Sequence, residues 1–268
     1  MLPHEPLLVK MPLEGTGGRV SRLGWASRRA KAAAIRETAA ARRVLEAAAL
    51  PHRLHIVLHG DPATTIAGTA QRLAATEIVM GTRGMSALGN LGLGSVAYKV
   101  LHLARQPVTL VPDARAAAAR DDDTTAVALA VDGSRPGLRA AAYLCRLHAG
   151  LAAQGRALLV HLVNVQPRIA AGSARGVVSR AQIDAYLHKR SEGAMRAVRR
   201  LFDRVGVAYQ CHARTGAYPD TIIRVALDQD CARIVMGTRG LGPVRGLLLG
   251  SVTFAVVHRA TLPVTLVR

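Results

Sequence analysis

The chain has 268 residues, 50% hydrophobic and 3% aromatic, with 36 Lys and Arg against 17 Asp and Glu, a formal charge of +19. That much apolar side chain excludes a disordered polymer, and so few aromatics exclude a stacking platform for single-stranded nucleic acid. The cationic excess permits attraction to acidic partners without proving it. Three cysteines (Cys145, Cys211, Cys231) show no CxxC or Cys/His spacing, which excludes a disulfide framework and fits a reducing, cytoplasmic setting. No run of roughly eighteen apolar residues supplies a membrane span, and the opening residues lack the apolar core of a signal peptide.

In chain order, Leu7–Val9 reads as a short strand and the Ala/Arg-rich stretch over about Ser21–Ala49 as a long helix. A strand near Leu54–Leu58 follows, then a turn at Gly60, a strand from Ile78, a helix after Ser95 and a strand Val108–Val111. Pro112–Thr125 (PDARAAAARDDDTT) is small, charged and unpatterned, a linker. Beyond it the alternation is complete. Strands are expected at Ala126–Val131, Ala157–Val165, Val207–Ala213, Arg233–Met236 and Val264–Val267. Helices are expected after Ser134, over Ser179–Val205, near Pro219–Asp230 and from Ser251. Apolar strands alternating with helices predict a doubly wound, parallel α/β architecture.

The chain repeats itself. Ile78–Val111 (IVMGTRGMSALGNLGLGSVAYKVLHLARQPVTLV) aligns without gaps on Ile234–Val267 (IVMGTRGLGPVRGLLLGSVTFAVVHRATLPVTLV) at an offset of 156, with 20 identities in 34 positions. So long a match means duplication of a whole domain. The expected division is a front domain over 1–112, a linker over 113–125 and a complete domain over 126–268. Each would be a five-stranded sheet, the front one lacking its opening strand and helix.

Both copies carry Gly-x2-Gly-x9-Gly-Ser: Gly81, Gly84, Gly94 and Ser95 in the first, Gly237, Gly240, Gly250 and Ser251 in the second. A strand ends at the first glycine and a helix begins after the serine. The exposed N–H groups and dipole of a helix amino end attract phosphate, and glycine lets backbone approach an anion or adopt positive φ. The serine hydroxyl either caps the helix or meets a phosphate oxygen. The plainer reading, ordinary turn and cap chemistry, is weakened because the spacing occurs twice while the intervening residues vary. In a five-stranded sheet ordered 3-2-1-4-5, the ligand crevice lies between strands one and four, where Asp132 would face the Gly237 turn. Asp132-Gly133-Ser134 is also a good turn and helix cap. A Walker fingerprint does not fit, since Ser95 stands where its lysine belongs. No nucleophile elbow, HExxH or triad order appears, so a non-catalytic role is expected.

These motifs resemble the universal stress protein (UspA-type) family in its tandem form, over nearly the whole chain except the opening unit and linker. The resemblance implies a Rossmann-like sheet, pairing of last strands and, in many members, ATP binding. It implies that Ala130, Val131 and Asp132 contact the nucleoside, that Leu162 lines the adenine pocket, and that Met236, Gly237, Arg239 and Gly240 flank the ribose and phosphates. Gly250, Ser251 and Val252 would hold the phosphate chain of ATP, carried with or without magnesium. The front copy keeps Gly81, Arg83, Gly84, Gly94 and Ser95 but has no matching Asp turn, so it is expected to bind nucleotide weakly or not at all. It would instead pair Val108–Val111 with Val264–Val267 inside one chain, covering two sheet edges, with further homo-oligomerisation open. The implied function is a nucleotide-binding stress or signalling protein; the alternative is a scaffold whose basic surface takes acidic partners or nucleic acid.

Overall fold

The computed structural model describes residues 7–10, 23–57, 60–82, 93–112, 124–168, 179–238, 240 and 249–268. They form two compact units, Met1–Ala75 and Thr76–Arg268. Most of the expected linker lies outside the described residues.

In the first unit β1 (Leu7–Lys10) pairs in parallel with β2 (Arg53–Ile56), joined by α1 (Leu23–Ala47) and followed by α2 (Pro62–Arg72). Asp61 caps α2 by accepting from Thr64 N at 3.0 Å, and Pro62 enters the first turn, where its missing N–H costs nothing. Strand β2 stops at Ile56, short of the expected Leu58, which lies outside the described residues.

The second unit is built on a seven-stranded sheet ordered β3-β4-β9-β8-β5-β6-β7. Its strands are β3 (Ile78–Gly81), β4 (Val108–Val111), β5 (Thr124–Ala130), β6 (Ala157–Gln166), β7 (Ala208–Thr215), β8 (Arg233–Gly237) and β9 (Val264–Val267). Between them run α3 (Ser95–Leu103), α4 (Arg135–Ala152), α5 (Arg180–Val205), α6 (Tyr218–Asp228) and α7 (Ser251–Arg259). All pairings are parallel except β4 with β9. Strands β7-β6-β5-β8-β9 reproduce the 3-2-1-4-5 order. Helix α4 packs on α5 and α6 on α7, and right-handed crossovers put the two pairs on opposite faces. Covered on both sides, β5 and β8 are apolar from Ala126 and from Ile234 to their ends. The core gathers Leu129, Leu144, Leu158, Leu162 and Phe202, each fully or almost fully buried.

The strands are distributed differently from two separate five-stranded sheets. β3 and β4, from the front copy, join the sheet of the second copy, while β1 and β2 form their own pair. The physical reason is the strand order. In 3-2-1-4-5 only strand one links 2-3 to 4-5, and among the described residues the front copy has no strand equivalent to β5.

At the antiparallel seam Thr109 lies opposite Thr265, its partner at the repeat offset, with the two hydroxyls 2.6 Å apart. A local twofold therefore passes between them. Glu77 and Arg233 are also equivalent positions, and the twofold brings them together: Arg233 Nη1 lies 3.2 Å from Glu77 Oε1 and donates to Tyr143 Oη at 3.3 Å. Glu77 further accepts from the Thr109 hydroxyl. Burial and the neighbouring Glu77 carboxylate push the Tyr143 phenol well above its ordinary value. Backbone conformation repeats too, since α2 and α6 both run out through a left-handed residue, Ala74 (φ 49°) and Asp230 (φ 51°). Among the described residues no helix is long and apolar enough to cross a membrane.

Candidate functional site

A cavity of about 530 Å³ opens beyond the carboxyl ends of β5, β6 and β8, in the size range of small-molecule sites. It lies where the strand order reverses, as open α/β sheets place their ligands. Ala130, Val131 and Asp132 line it from β5, Met236 and Gly237 from β8, Gly240 from the turn, and Gly250, Ser251 and Val252 from the start of α7. Arg239, like Arg83 and Gly84 of the front copy, lies outside the described residues.

Each side chain has a local cause. Ser134 is the N-cap of α4, its Oγ accepting from Gly137 N at 3.2 Å. The cap is therefore not Asp132, whose Oδ1 instead accepts from Ser134 N at 2.9 Å in an Asx turn. The other oxygen, Oδ2, faces the glycine turn: a Cβ built on Gly240 would sit 2.6 Å from it. A Cβ on Gly237 would sit 2.6 Å from Pro136 Cβ and 2.8 Å from its carbonyl carbon, so glycine lets the end of β8 touch the amino end of α4. The loop from β8 to α7 is closed by Thr238, which donates to Val267 O at 3.0 Å and accepts from Gly250 N at 2.9 Å. Thr253 Oγ1 then donates to Gly237 O at 3.1 Å. The front copy closes its loop the same way, with Thr82 donating to Val111 O and Gly94 donating to Thr82 O.

Three sequence expectations change. Gly250 has φ −65° and ψ 153°, extended backbone open to any residue, as does Gly94, so positive φ does not explain either glycine. Ser251 and Ser95 are the first helical residues, with the glycines as N-caps, so neither serine caps its helix. Leu162 does not line the cavity; it is fully buried in the core, and Val163 lines the cavity instead. Leu162 shares a face of β6 with Asn164 and Gln166 but lies further from the strand's carboxyl end, where the core covers it. Gly81 ends β3 with its residue exposed, whereas its counterpart Gly237 is buried.

Helices α4, α6 and α7 all bring their first turns to the cavity, and the N-caps of α6 and α7, Ala217 and Gly250, make no side-chain cap bond. Their leading N–H groups and dipoles make this end receptive to an anion. Apolar Val163, Val165 and Ile222 line it too. Sequence reasoning missed Asn164, Gln166 and Arg190. The first two are polar residues in an apolar strand, a signal the sequence did contain. Arg190 sits on α5 one turn before Ala194, which packs against Gly133, and its guanidinium donates to Tyr186 Oη at 3.1 Å. Asp132 is the lone acidic side chain and Arg190 the lone cationic one among the described lining residues.

The order of strands and the cleft at their reversal define a doubly wound α/β protein with an anion-receptive crevice. The sequence pattern of the Universal stress protein family matches residues 7–112 and 124–268, and the chain belongs to that family. A universal stress protein of Mycolicibacterium smegmatis is 30% identical over 207 residues, 73% of this chain and 62% of that protein, so the match spans less than two thirds of the relative. A Thermus aquaticus universal stress protein is 45% identical over 62 residues, 23% of this chain and 45% of its own. The crystal structure of a universal stress protein from Archaeoglobus fulgidus superposes with a TM-score of 0.62 at 21% identity, covering 96% of this chain and 83% of that one, a likeness of fold.

Proposed function

We propose that the crevice beyond β5 and β8 binds an adenine nucleotide, ATP in the first instance, and that the protein acts in stress response or signalling through its nucleotide occupancy rather than by turnover. The reading is carried by one observation: Asp132 Oδ2 lies against Gly240 at the wall of a cavity that the amino end of α7 also lines. The N–H groups of Ser251 and Val252, which no side chain caps, suit the phosphates, and Arg239 would add charge from the same turn. Asp132 suits a ribose hydroxyl or the base as an acceptor. Among the described residues no three His, Cys, Asp or Glu side chains gather to hold a metal, so magnesium would arrive on the phosphates. The front copy, with Gly81, Gly94 and Ser95 but no facing carboxylate among its described residues, would serve as pairing partner.

Titration of the full chain with ATP tests this, and saturation is expected at one nucleotide per chain. Asp132→Ala should weaken binding by about tenfold, the worth of one hydrogen bond to a charged group. Purified protein should also carry absorbance at 260 nm that nuclease does not remove. Unchanged affinity in Asp132→Ala, or absorbance lost to nuclease, would favour the scaffold whose cationic surface takes nucleic acid.

A further inference from the structure

Strand β6 ends in two polar residues on one face, Asn164 and Gln166, 2% and 7% exposed. They form a relay whose direction is fixed by chemistry. Val131 O is a backbone carbonyl and can only accept, so Asn164 turns its amide nitrogen to it at 2.7 Å. That leaves Asn164 Oδ1 towards Gln166, which must turn its own nitrogen to meet it, at 2.8 Å. A free carboxamide can rotate by a half turn and present either donor or acceptor. Gln166 cannot, because the reversed amide would set oxygen against oxygen inside a buried site. Its Oε1 accepts from no group among the described residues and is not sealed from solvent, and Gln166 lines the cavity.

A buried, one-way acceptor at the wall of a ligand cavity selects for a donor. The same cavity is lined by Val163, Val165 and Ile222, apolar surface for the faces of a heteroaromatic ring, and by the anion-receptive amino end of α7. We infer that Gln166 is the base-discriminating residue: its Oε1 accepts from the exocyclic amine of a 6-aminopurine and rejects a 6-oxopurine. This rests on the nucleotide reading above and adds what that reading leaves open, how one purine is told from another. A 6-oxo group would place a second acceptor against Oε1 with no proton between them, and the relay denies Gln166 the flip that would relieve it. Glutamine is suited to this contact, since its amide can also donate to a ring nitrogen of adenine while accepting from the amine.

Affinities of the full chain for ATP, inosine triphosphate and N6,N6-dimethyl-ATP test the inference. The unmodified protein should bind ATP about tenfold or more tightly than either analogue, as loss of one hydrogen bond at a desolvated group requires. Gln166→Met, similar in length but without the amide, should lower ATP affinity and raise that of inosine triphosphate, so that the two converge. If that variant melts early and cannot be titrated, the three ligands on the unmodified chain still decide. Binding of ATP and inosine triphosphate within about twofold would overturn the inference and leave the nucleotide site standing. Binding of none of the three would remove the site and the inference together.

Discussion

The Glu77–Arg233 contact offers the sharpest test of how the two copies of the repeat are joined. The positions are equivalent by sequence, so a symmetric pairing would set like side chains face to face across the twofold; here one is acidic and the other basic. At 3.2 Å and an effective dielectric near 20, the bare attraction is about 5 kcal/mol. Side-chain exposures of 27% for Arg233 and 19% for Glu77 place the pair between surface bridges, worth about 1 kcal/mol or less, and buried ones, costing about 3–5 kcal/mol to break. A net value of about 2 kcal/mol follows from that position. Glu77→Arg removes this and adds repulsion, a loss of about 3 kcal/mol, or roughly 6–12 °C in melting temperature for a unit of this size. Arg233→Glu should cost a similar amount and also leave Tyr143 facing two carboxylates. The double swap restores opposite charges and should recover at least half of the summed losses. It will not recover all, because Thr109 and Tyr143 were arranged around the original pair. Thermal melts of the four proteins give the coupling energy, and molar salt should narrow the differences. Strict additivity of the single effects would refute the argument that these two side chains sense one another across the seam.

Three further outcomes follow from the geometry. Gly237→Ala should cost about 2–3 kcal/mol by forcing a methyl onto Pro136, lowering the melting temperature by roughly 5–10 °C; a shift under ~1 °C would mean that the contact is soft. Gly240→Ala should weaken ATP binding by about tenfold in the unmodified background but hardly at all in Asp132→Ala, because its clash is with that carboxylate; equal effects in both backgrounds would place the perturbation elsewhere. His161 Nδ1 and His212 Nε2 are 2.9 Å apart and buried, and burial pushes both imidazoles below 6.5, with His161 and Arg214 adding to the shift at His212. Neutral imidazole is thus favoured by folding. The stability this gives is fully present above pH 6.5 and is lost as pH falls through the lowered folded values. Melting temperature should drop between about pH 7 and 5 and drop less in a His161→Leu/His212→Leu double variant; identical pH slopes would discount the pair.

The alternation of apolar strands with helices, the duplication at offset 156 and the glycine-serine turn are all local patterns, and the elements formed within a few residues of where those patterns put them. Strands β4 and β9 fall on the expected residues because Pro-Val-Thr-Leu-Val leaves little room for another conformation. Asp132, Gly237 and Gly250 were legible as cleft residues because strand order follows from connection rules, and the crevice follows from strand order. How far along β6 the cavity reaches was decided only by its register with β5 and β7, which leaves Leu162 in the core and brings Val163, one residue nearer the strand's end, to the cavity. Partnership was likewise tertiary. Glu77 and Arg233 are 156 residues apart, Asn164 finds Val131 O at the end of the neighbouring strand, and Arg190 reaches the cleft from α5. Periodicity reports which side of an element is apolar. It does not report which atom stands opposite, because that depends on how separate elements stack once hydrophobic burial has brought them together.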